Sequence, residues 1–279
     1  MLTRIFLKSC KYSCHDAIGT HIMAPPEYIA RADGTRIAMR RAGHARTGIS
    51  GRKCPTLIFL PGYMSDMTGS KATALECWAI QQNRAIVRFD YAGCGASDGT
   101  FTDYTLEDWL ADVLLIIDLV VRGPVILAGS SMGGWLMLLA AMARPSDVVG
   151  LVGIAAAPDF THWGFDDTAK MQLHRDGKHV ETTPYSDDPY ITTLKFWQSG
   201  ERHLLLDAPI PITCPVRLIH GQDDADVPWN IALRTAAALR SSDVQTILIK
   251  QGDHRLSRPH DIDLLCDTVA QLYRTLELK

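Results

Sequence analysis

The stretch PVILAGSSMGGW, residues 124–135, places a Gly-x-Ser-x-Gly pattern between an apolar, β-branched run and a helix-forming run. The pattern alone is weakly informative, but a buried strand in front of it and a helix behind it make it far more specific. In that context the serine lies on a sharp turn at the carboxyl end of a strand, with its hydroxyl exposed. The stretch therefore predicts an α/β fold with a nucleophilic serine at one edge of its sheet.

Two adjacent serines compete for the centre of this turn. Side chains two positions from the centre would clash with the tightly turned backbone, so both positions require very small residues. Centring on Ser131 puts Gly129 and Gly133 there, whereas centring on Ser130 would put Met132 at one of them. Ser131 is therefore the candidate nucleophile, and Ser130 is expected to be a packing residue.

Short apolar runs alternate with helical patterns along most of the chain. Aliphatic or β-branched residues at consecutive positions are typical of strands buried on both faces of a parallel sheet. The predicted strands are 56–60, 85–89, 125–128, 148–156, 216–219 and 244–249, after a hairpin of 28–30 and 37–39. The clearest helices are Thr105 to Val121, capped by Thr105 with Asp108 three residues on, and Asp261 to Leu276. We expect an α/β fold, with a mostly parallel central sheet and helices on both faces.

Residues 158–211 interrupt the alternation, because they show no clear strand and are rich in aromatic residues and histidines. We predict that they form a helical cap inserted over the carboxyl edge of the sheet, where α/β folds bind ligands. An irregular surface excursion is the alternative. Residues 27–279 would then form one domain with this insertion, and residues 1–26 a flexible leader.

A serine hydroxyl becomes a nucleophile when a histidine accepts its proton and a carboxylate orients that histidine. His254 follows the last predicted strand, and Asp223, Asp224 and Asp226 follow the strand before it. Both loops leave the carboxyl ends of parallel strands, the edge that carries Ser131. The chain order serine, acid, histidine accompanies this kind of nucleophile turn, so we expect His254 as base and Asp224 as acid, with the two other aspartates as alternatives.

Two further histidines are weaker candidates for the base. His220 ends a buried strand, where a structural role is expected. His260 lies at the start of the last helix, where a capping role is simpler.

An acyl-transfer site also needs N–H donors for the oxyanion that forms in the transition state. The residue after the nucleophile, Met132, supplies one backbone N–H. The segment LPGYMS, residues 60–65, follows the first buried strand, and Gly62 allows a tight turn there. We expect the Tyr63 N–H to be the second donor.

A competing motif is DYAGCGASDG, residues 90–99, which follows a strand and contains Gly-x-Gly. A dinucleotide site requires Gly-x-Gly-x-x-Gly opening a helix, and here the third glycine is one residue late and no clear helix follows. We therefore expect a structural turn, with Cys94 as a buried, unreactive thiol.

Composition excludes several classes of protein. The 279 residues carry 28 Lys and Arg against 31 Asp and Glu, a net charge of −3, so a nucleic-acid partner is not expected. No apolar run approaches the roughly 20 residues of a membrane span, so integral membrane association is not expected.

The seven cysteines are scattered along the chain, a pattern typical of reduced thiols, so a cytoplasmic location is expected. A mitochondrial location is the alternative, if residues 1–22 form a transit peptide, and translation could also start at Met23.

Several segments together resemble the α/β-hydrolase superfamily, and within it the thioesterases and esterases that act on palmitoylated proteins and acyl glucuronides. The resemblance covers nearly the whole chain from Tyr28 and rests on Leu60-Pro-Gly-Tyr, Arg88-Phe-Asp-Tyr-x-Gly, Gly129-Ser-Ser-Met-Gly-Gly-Trp-Leu-Met, Ala208-Pro-Ile-Pro, Leu218-Ile-His-Gly, Val227-Pro-Trp and Asp253-His-Arg. It implies Ser131, Asp224 and His254 as the catalytic triad and favours Asp224 over the neighbouring aspartates.

The sequence thus predicts a serine hydrolase that cleaves carboxylic thioesters or esters through an acyl-enzyme. A small molecule or an acylated protein is the expected substrate, and the chemistry requires no metal and no organic cofactor. A hydrolase of carbon–carbon bonds in small diketones is the enzymatic alternative. A non-catalytic binding protein on the same fold is the alternative from another class.

Overall fold

The computed structural model describes residues 25–44, 53–121, 123–183 and 186–278. Within them the strands are β1 Glu27–Ala30, β2 Arg36–Ala42, β3 Thr56–Leu60, β4 Ile86–Phe89, β5 Val125–Ser130, β6 Val148–Ile154, β7 Lys178–Thr183, β8 Ser186–Thr193, β9 Val216–Gly221 and β10 Val244–Ile249. Eight of them form one sheet in the order β1-β2-β4-β3-β5-β6-β9-β10. From β4 to β10 along that order all neighbours are parallel, whereas β2 is antiparallel to both of its neighbours.

Helices cover both faces of this sheet. They are α1 Ser70–Gln81, α2 Leu106–Leu115, α3 Met132–Ala143, α4 Phe160–Trp163, α5 Asp167–Asp176, α6 Leu194–Glu201, α7 Asn230–Ala238 and α8 Pro259–Glu277. Along β3, Ile58 and Leu60 belong to a core cluster with α2 and α3, whereas Leu57 and Phe59 belong to a second cluster with α1 and α8. This alternation is the period of two that a strand buried on both faces must show.

The predicted α/β class is confirmed, and the observed strands lie close to the predicted ones. The strand predicted to reach residue 156 ends at Ile154, because Ala155 adopts a positive φ of 44° that ends the extended backbone. Thr105 and Asp108 form the predicted capping box at the start of α2. That helix ends at Leu115 and continues as a π-helical turn, Ile116–Val120.

We call residues 158–211 the cap. They contain α4, α5, the hairpin of β7 and β8, and α6. The expectation that this segment lacks strands is wrong, because β7 (KHVETT) and β8 (SDDPYITT) are too polar to show the pattern of a buried strand, and Pro189 disfavours a strand. The buried carboxylate of Asp159 accepts backbone hydrogen bonds from Leu205 at 2.8 Å and Leu206 at 2.7 Å, which joins the two ends of the cap.

Some expectations concern residues outside the described ranges. The transit-peptide alternative and the start at Met23 fall in residues 1–24, which are not among the described residues, and so does the predicted leader apart from residues 25 and 26. Cys54 and Cys94 are free thiols, but Cys77 is disulfide-bonded, so the expectation of uniformly reduced cysteines is wrong. In the part of the chain that the structure describes, no helix combines the length and apolar character needed to cross a bilayer.

Candidate active site

Ser131 lies in a strained turn between β5 and α3. Its φ of 53° and ψ of −120° are outside the conformations that non-glycine residues normally adopt. The strain is tolerated because the surrounding backbone is fixed, with the Ser131 N–H donating to Ile154 O at 2.9 Å and the Ala157 N–H donating to Ser131 O at 3.0 Å. Ser130 is buried as the last residue of β5, as expected of a packing residue.

The two glycines beside this turn are required by space. A Cβ atom at Gly129 would lie 2.3 Å from the carbonyl oxygen of Gly133. A Cβ atom at Gly133 would lie 2.2 Å from the carbonyl oxygen of Leu60 and 2.5 Å from that of Pro61. Separations under 3.0 Å from backbone atoms are not accommodated without moving the chain. Both positions therefore require glycine, as the motif centred on Ser131 predicts.

The loop after β3 approaches the nucleophile closely. A Cβ atom at Gly62 would lie 3.3 Å from the Ser131 Cβ, and Tyr63 and Met132 line the same cavity as Ser131. Met132 is the first residue of α3, so its N–H has no acceptor within the helix. The structure thus brings both expected oxyanion donors to the cavity that contains Ser131.

Asp224 and His254 are joined by a hydrogen bond. His254 Nδ1 lies 2.9 Å from Asp224 Oδ2, and the Asp224 side chain is fully buried. The other carboxylate oxygen, Oδ1, accepts the N–H groups of Asp226 at 2.9 Å and Val227 at 2.8 Å. The alternative acids Asp223 and Asp226 are exposed. Of the three aspartates, Asp224 is therefore the one held against His254.

These contacts keep Asp224 ionised. Burial by itself would raise the pKa of the carboxyl, but hydrogen bonds from His220 and His254 outweigh it and hold the pKa well below its ordinary value. The charge of His254 and the Val227 N–H act in the same direction. A permanently charged acceptor fixes the proton on His254 Nδ1 and leaves Nε2 able to accept another.

The other two histidines do not reach the position of a base. His260 has a side chain that is 67% exposed and lies beside Asp261. His220 is buried under the loop of the acid, and its Nε2 lies 3.0 Å from Val227 O and 3.2 Å from Asp224 Oδ2. The contact between His220 and Asp224 was not predicted from the sequence, although His220 lies at a strand end, four residues before Asp224.

The cavity has a volume of about 480 Å³, within the usual range for small-molecule sites. Ser131 and His254 both line it, and the cap closes one side. The apolar part of the wall includes Met132, Ala157, Phe160, Trp163, Phe165 and Val227. The polar part includes Ser65, Asp66, Ser70, Lys71, Glu181 and Arg255. The wall therefore offers apolar surface to one part of a ligand and hydrogen bonds to another.

The glycine-containing segment 90–99 is a structural turn, as expected. The Asp90 carboxylate accepts the N–H of Met67 at 2.7 Å, in the loop that carries Tyr63, and the N–H of Ala96 at 2.8 Å. Arg88 donates to the carbonyl of the same Met67 and is paired with Glu76. Burial raises the pKa of Cys94 to about 12, which makes it an unreactive thiol.

A metal could in principle use Asp224, Asp226 and His254, since one ligand atom from each lies within 4.8 Å of the others. Both oxygens of Asp224 already accept hydrogen bonds from N–H donors, and His254 Nδ1 is one of these donors. The donor set therefore suits a hydrogen-bonded acid–base pair better than a cation site.

The chain belongs to the α/β-hydrolase family, since the sequence profile described as "Alpha/beta hydrolase family" matches residues 57–264. The fold described above is the fold of that class. Two relatives, from mouse and from human, are both named "Palmitoyl-protein thioesterase ABHD10, mitochondrial" and are 44% identical over 224 residues. The match covers 79% of this chain and 75% of the mouse protein or 73% of the human one.

Solved structures agree with these relatives. The mouse structure named "Alpha/beta hydrolase domain-containing protein 10" has a TM-score of 0.83 and 40% identity, covering 91% of this chain and 100% of the mouse chain. A structure from Agrobacterium vitis S4 named "Putative hydrolase" has a TM-score of 0.82 and 35% identity, covering 90% of this chain and 100% of the bacterial one. This chain is therefore a hydrolase by family and similar to palmitoyl-protein thioesterases.

Proposed function

We propose that the chain is a serine hydrolase that cleaves carboxylic thioesters or esters through an acyl-enzyme on Ser131. The observation that carries this proposal is the 2.9 Å hydrogen bond between His254 and the buried Asp224, at a cavity that also contains Ser131 in its strained turn. A serine on such a turn and an oriented histidine at the same cavity supply the nucleophile and the base that acyl transfer requires.

The proposed reaction has two halves. Ser131 Oγ attacks the carbonyl carbon while His254 Nε2 takes the hydroxyl proton, and Asp224 stabilises the imidazolium that forms. The oxyanion of the tetrahedral intermediate is held by the N–H groups of Tyr63 and Met132. Collapse breaks the carbon–sulfur or carbon–oxygen bond, and the leaving group departs with the proton from His254. Water then attacks the acyl-enzyme by the same steps and releases the acid.

The acyl group is proposed to be a long apolar chain on a protein thioester. Two observations support this: the relatives named as palmitoyl-protein thioesterases at 44% identity, and the apolar wall formed by Met132, Phe160, Trp163 and Phe165. Oxygen esters such as acyl glucuronides are the second proposed class, because the same mechanism opens both kinds of bond.

Hydrolysis of matched thioester and oxygen-ester substrates over a series of acyl lengths tests the proposal. The wild type should hydrolyse long-chain thioesters, and Ser131→Ala should lower turnover by about 10⁶. A serine-directed fluorophosphonate should label the wild type and not the variant. Activity on short oxygen esters only would retain the mechanism and exclude the depalmitoylase assignment. Equal turnover in both proteins would overturn the serine mechanism.

We further propose a mitochondrial location, since the mouse and human relatives are named as mitochondrial proteins. The comparisons give no support to the cytoplasmic expectation. Fractionation of cells that express the full chain with a carboxyl-terminal tag tests this. Recovery of the tag in the cytosol alone would overturn it.

A further inference from the structure

His220 is a second histidine on the acid of the proposed triad. It is the penultimate residue of β9 and is completely buried. Its Nε2 atom lies 3.2 Å from Asp224 Oδ2, the same oxygen that lies 2.9 Å from His254 Nδ1. The imidazoles of the buried His220 and of His254, which lines the cavity, therefore lie within 3.2 Å of the same carboxylate oxygen.

The partners of His220 define which of its nitrogens carries the proton. Nε2 also lies 3.0 Å from the carbonyl oxygen of Val227, which can only accept a hydrogen bond. Nδ1 is buried and has no hydrogen-bond partner among the described residues. A proton on Nδ1 would be a buried donor without an acceptor, so the arrangement favours the tautomer that carries its proton on Nε2.

This single N–H completes a closed set of contacts around the acid. Val227 donates its N–H to Asp224 Oδ1 at 2.8 Å, and its carbonyl accepts from His220. His220 in turn reaches Asp224 Oδ2. The carboxylate is thereby held on both oxygens, and its rotation away from His254 would break contacts on each of them.

We propose that His220 is a positioning residue, which holds the Asp224 carboxylate toward His254 and shares the charge of its Oδ2 oxygen. This inference rests on the proposed function, because it assigns a role within the same triad. When the His220 N–H is removed, the charge on Oδ2 is less dispersed and the carboxylate is less fixed. The first change stabilises the imidazolium form of the base, and the second lowers the fraction of correctly oriented base.

The matched pair His220→Gln and His220→Met tests the proposal. Both side chains have the same length and neither titrates, but only glutamine keeps an N–H donor near the position of Nε2. The Met variant should lose about tenfold in kcat with KM little changed, a change equal to roughly 1.4 kcal/mol in the barrier. The acidic limb of its pH profile of kcat/KM should move to higher pH. The Gln variant should recover most of kcat and the wild-type limb.

Other charged groups lie in the loops of Asp224 and His254 or on the cavity wall, and both variants leave them unchanged. They are Asp226 in the loop of the acid, Asp253 and Arg255 beside His254, Lys71 of α1, and Asp66 and Glu181 on the cavity wall. A difference between the Gln and Met variants in the acidic limb of the pH profile therefore reports on the hydrogen-bond donor at position 220.

Thermal unfolding of both variants separates positioning from folding. If the Met variant matches the Gln variant in kcat and pH profile, the inference is wrong whatever their Tm values. If the Met variant is too unstable to assay, the Gln variant decides: its wild-type kcat and limb would support the inference, and a tenfold loss would overturn it. Equal activity of wild type and Ser131→Ala would instead show that the proposed function has failed.

Discussion

The phenolic hydroxyl group of Tyr63 donates a hydrogen bond to the backbone carbonyl oxygen of Ile191, with an oxygen–oxygen distance of 2.9 Å. Tyr63 belongs to the loop that supplies the proposed oxyanion donor, and Ile191 belongs to β8 of the cap. The same oxygen lies 3.3 Å from Thr192 Oγ1, and the ring packs against Phe101, Trp109, Phe160, Tyr190 and Phe196. One residue thus carries a proposed oxyanion N–H on its backbone and a contact to the cap on its side chain.

We expect Tyr63→Phe to lower kcat/KM by about fivefold, the effect of losing a hydrogen bond of about 1 kcal/mol. The backbone N–H and the aromatic packing remain, so only the link to the cap is removed. Steady-state kinetics on a long-chain thioester measures this, with the half-exposed Tyr28→Phe as control. Unchanged kinetics would show that the oxyanion loop does not depend on the cap.

Asp224→Asn should reduce kcat by about 10⁴, because an amide can donate to His254 and fix the wrong tautomer. Asp223→Asn, one residue away and exposed, should change kcat less than about twofold. Single-turnover kinetics on both variants provides the measurement. A large loss in the Asp223 variant, with little loss in the Asp224 variant, would reverse the assignment of the acid.

Gly133→Ala should destabilise the protein by roughly 2 kcal/mol or more, because its Cβ would lie 2.2 Å from the Leu60 carbonyl oxygen. Gly69→Ala is a suitable control, since its Cβ would meet no atom closer than 3.8 Å. Urea denaturation of both variants gives the free energies of unfolding. Equal stability of the two variants would contradict the close approach of α3 to the loop after β3.

The lowered pKa of Lys71 predicts that the stability of the protein depends on pH. Burial, aided by the charge of Arg255, lowers the pKa of Lys71 from 10.5 to about 8. Between these pH values the unfolded chain binds the proton and the folded chain does not, so stability should rise with pH. The rise is at most about 1.4 kcal/mol per pH unit.

Denaturation of the wild type and Lys71→Met at pH 8, 9 and 10 measures this contribution. The difference in the free energy of unfolding should change with pH in favour of the wild type. Lys250→Met, at an exposed position, should show no such change. A difference that is constant with pH for Lys71→Met would refute the lowered pKa.

The sheet and the nucleophile turn were predictable because their signals are local. Apolar runs such as 125–128 indicate a strand that is buried on both faces of the sheet. The small size of Gly129 and Gly133 by itself indicates the tight turn. The hairpin of β7 and β8 was missed, because its stability comes from pairing within the cap and its residues are mostly polar. Polar strands do not show the periodicity from which strands are recognised.

Long-range polar contacts in the site could not be read from the sequence. The hydrogen bond from Tyr63 to Ile191 joins residues 128 positions apart, and no local pattern encodes it. His220 was visible as a strand end, but its contact with Asp224 depends on how the loop between them folds back. The position of Lys71 at the cavity wall, where its Nζ donates to the Arg255 carbonyl, likewise depends on how α1 lies against the loop of His254.

The carboxylate of Asp159 that joins the two ends of the cap has an evolutionary consequence. The chain leaves the sheet after β6 and re-enters it at β9, and these two strands are direct neighbours. Backbone hydrogen bonds to Asp159 hold the two ends of the cap together, next to the points where the chain leaves and re-enters the sheet. The cap can therefore vary in length and sequence while the strand register is preserved. Substrate preference in such a molecule can diverge within this single exchangeable segment, independently of the bond-breaking residues.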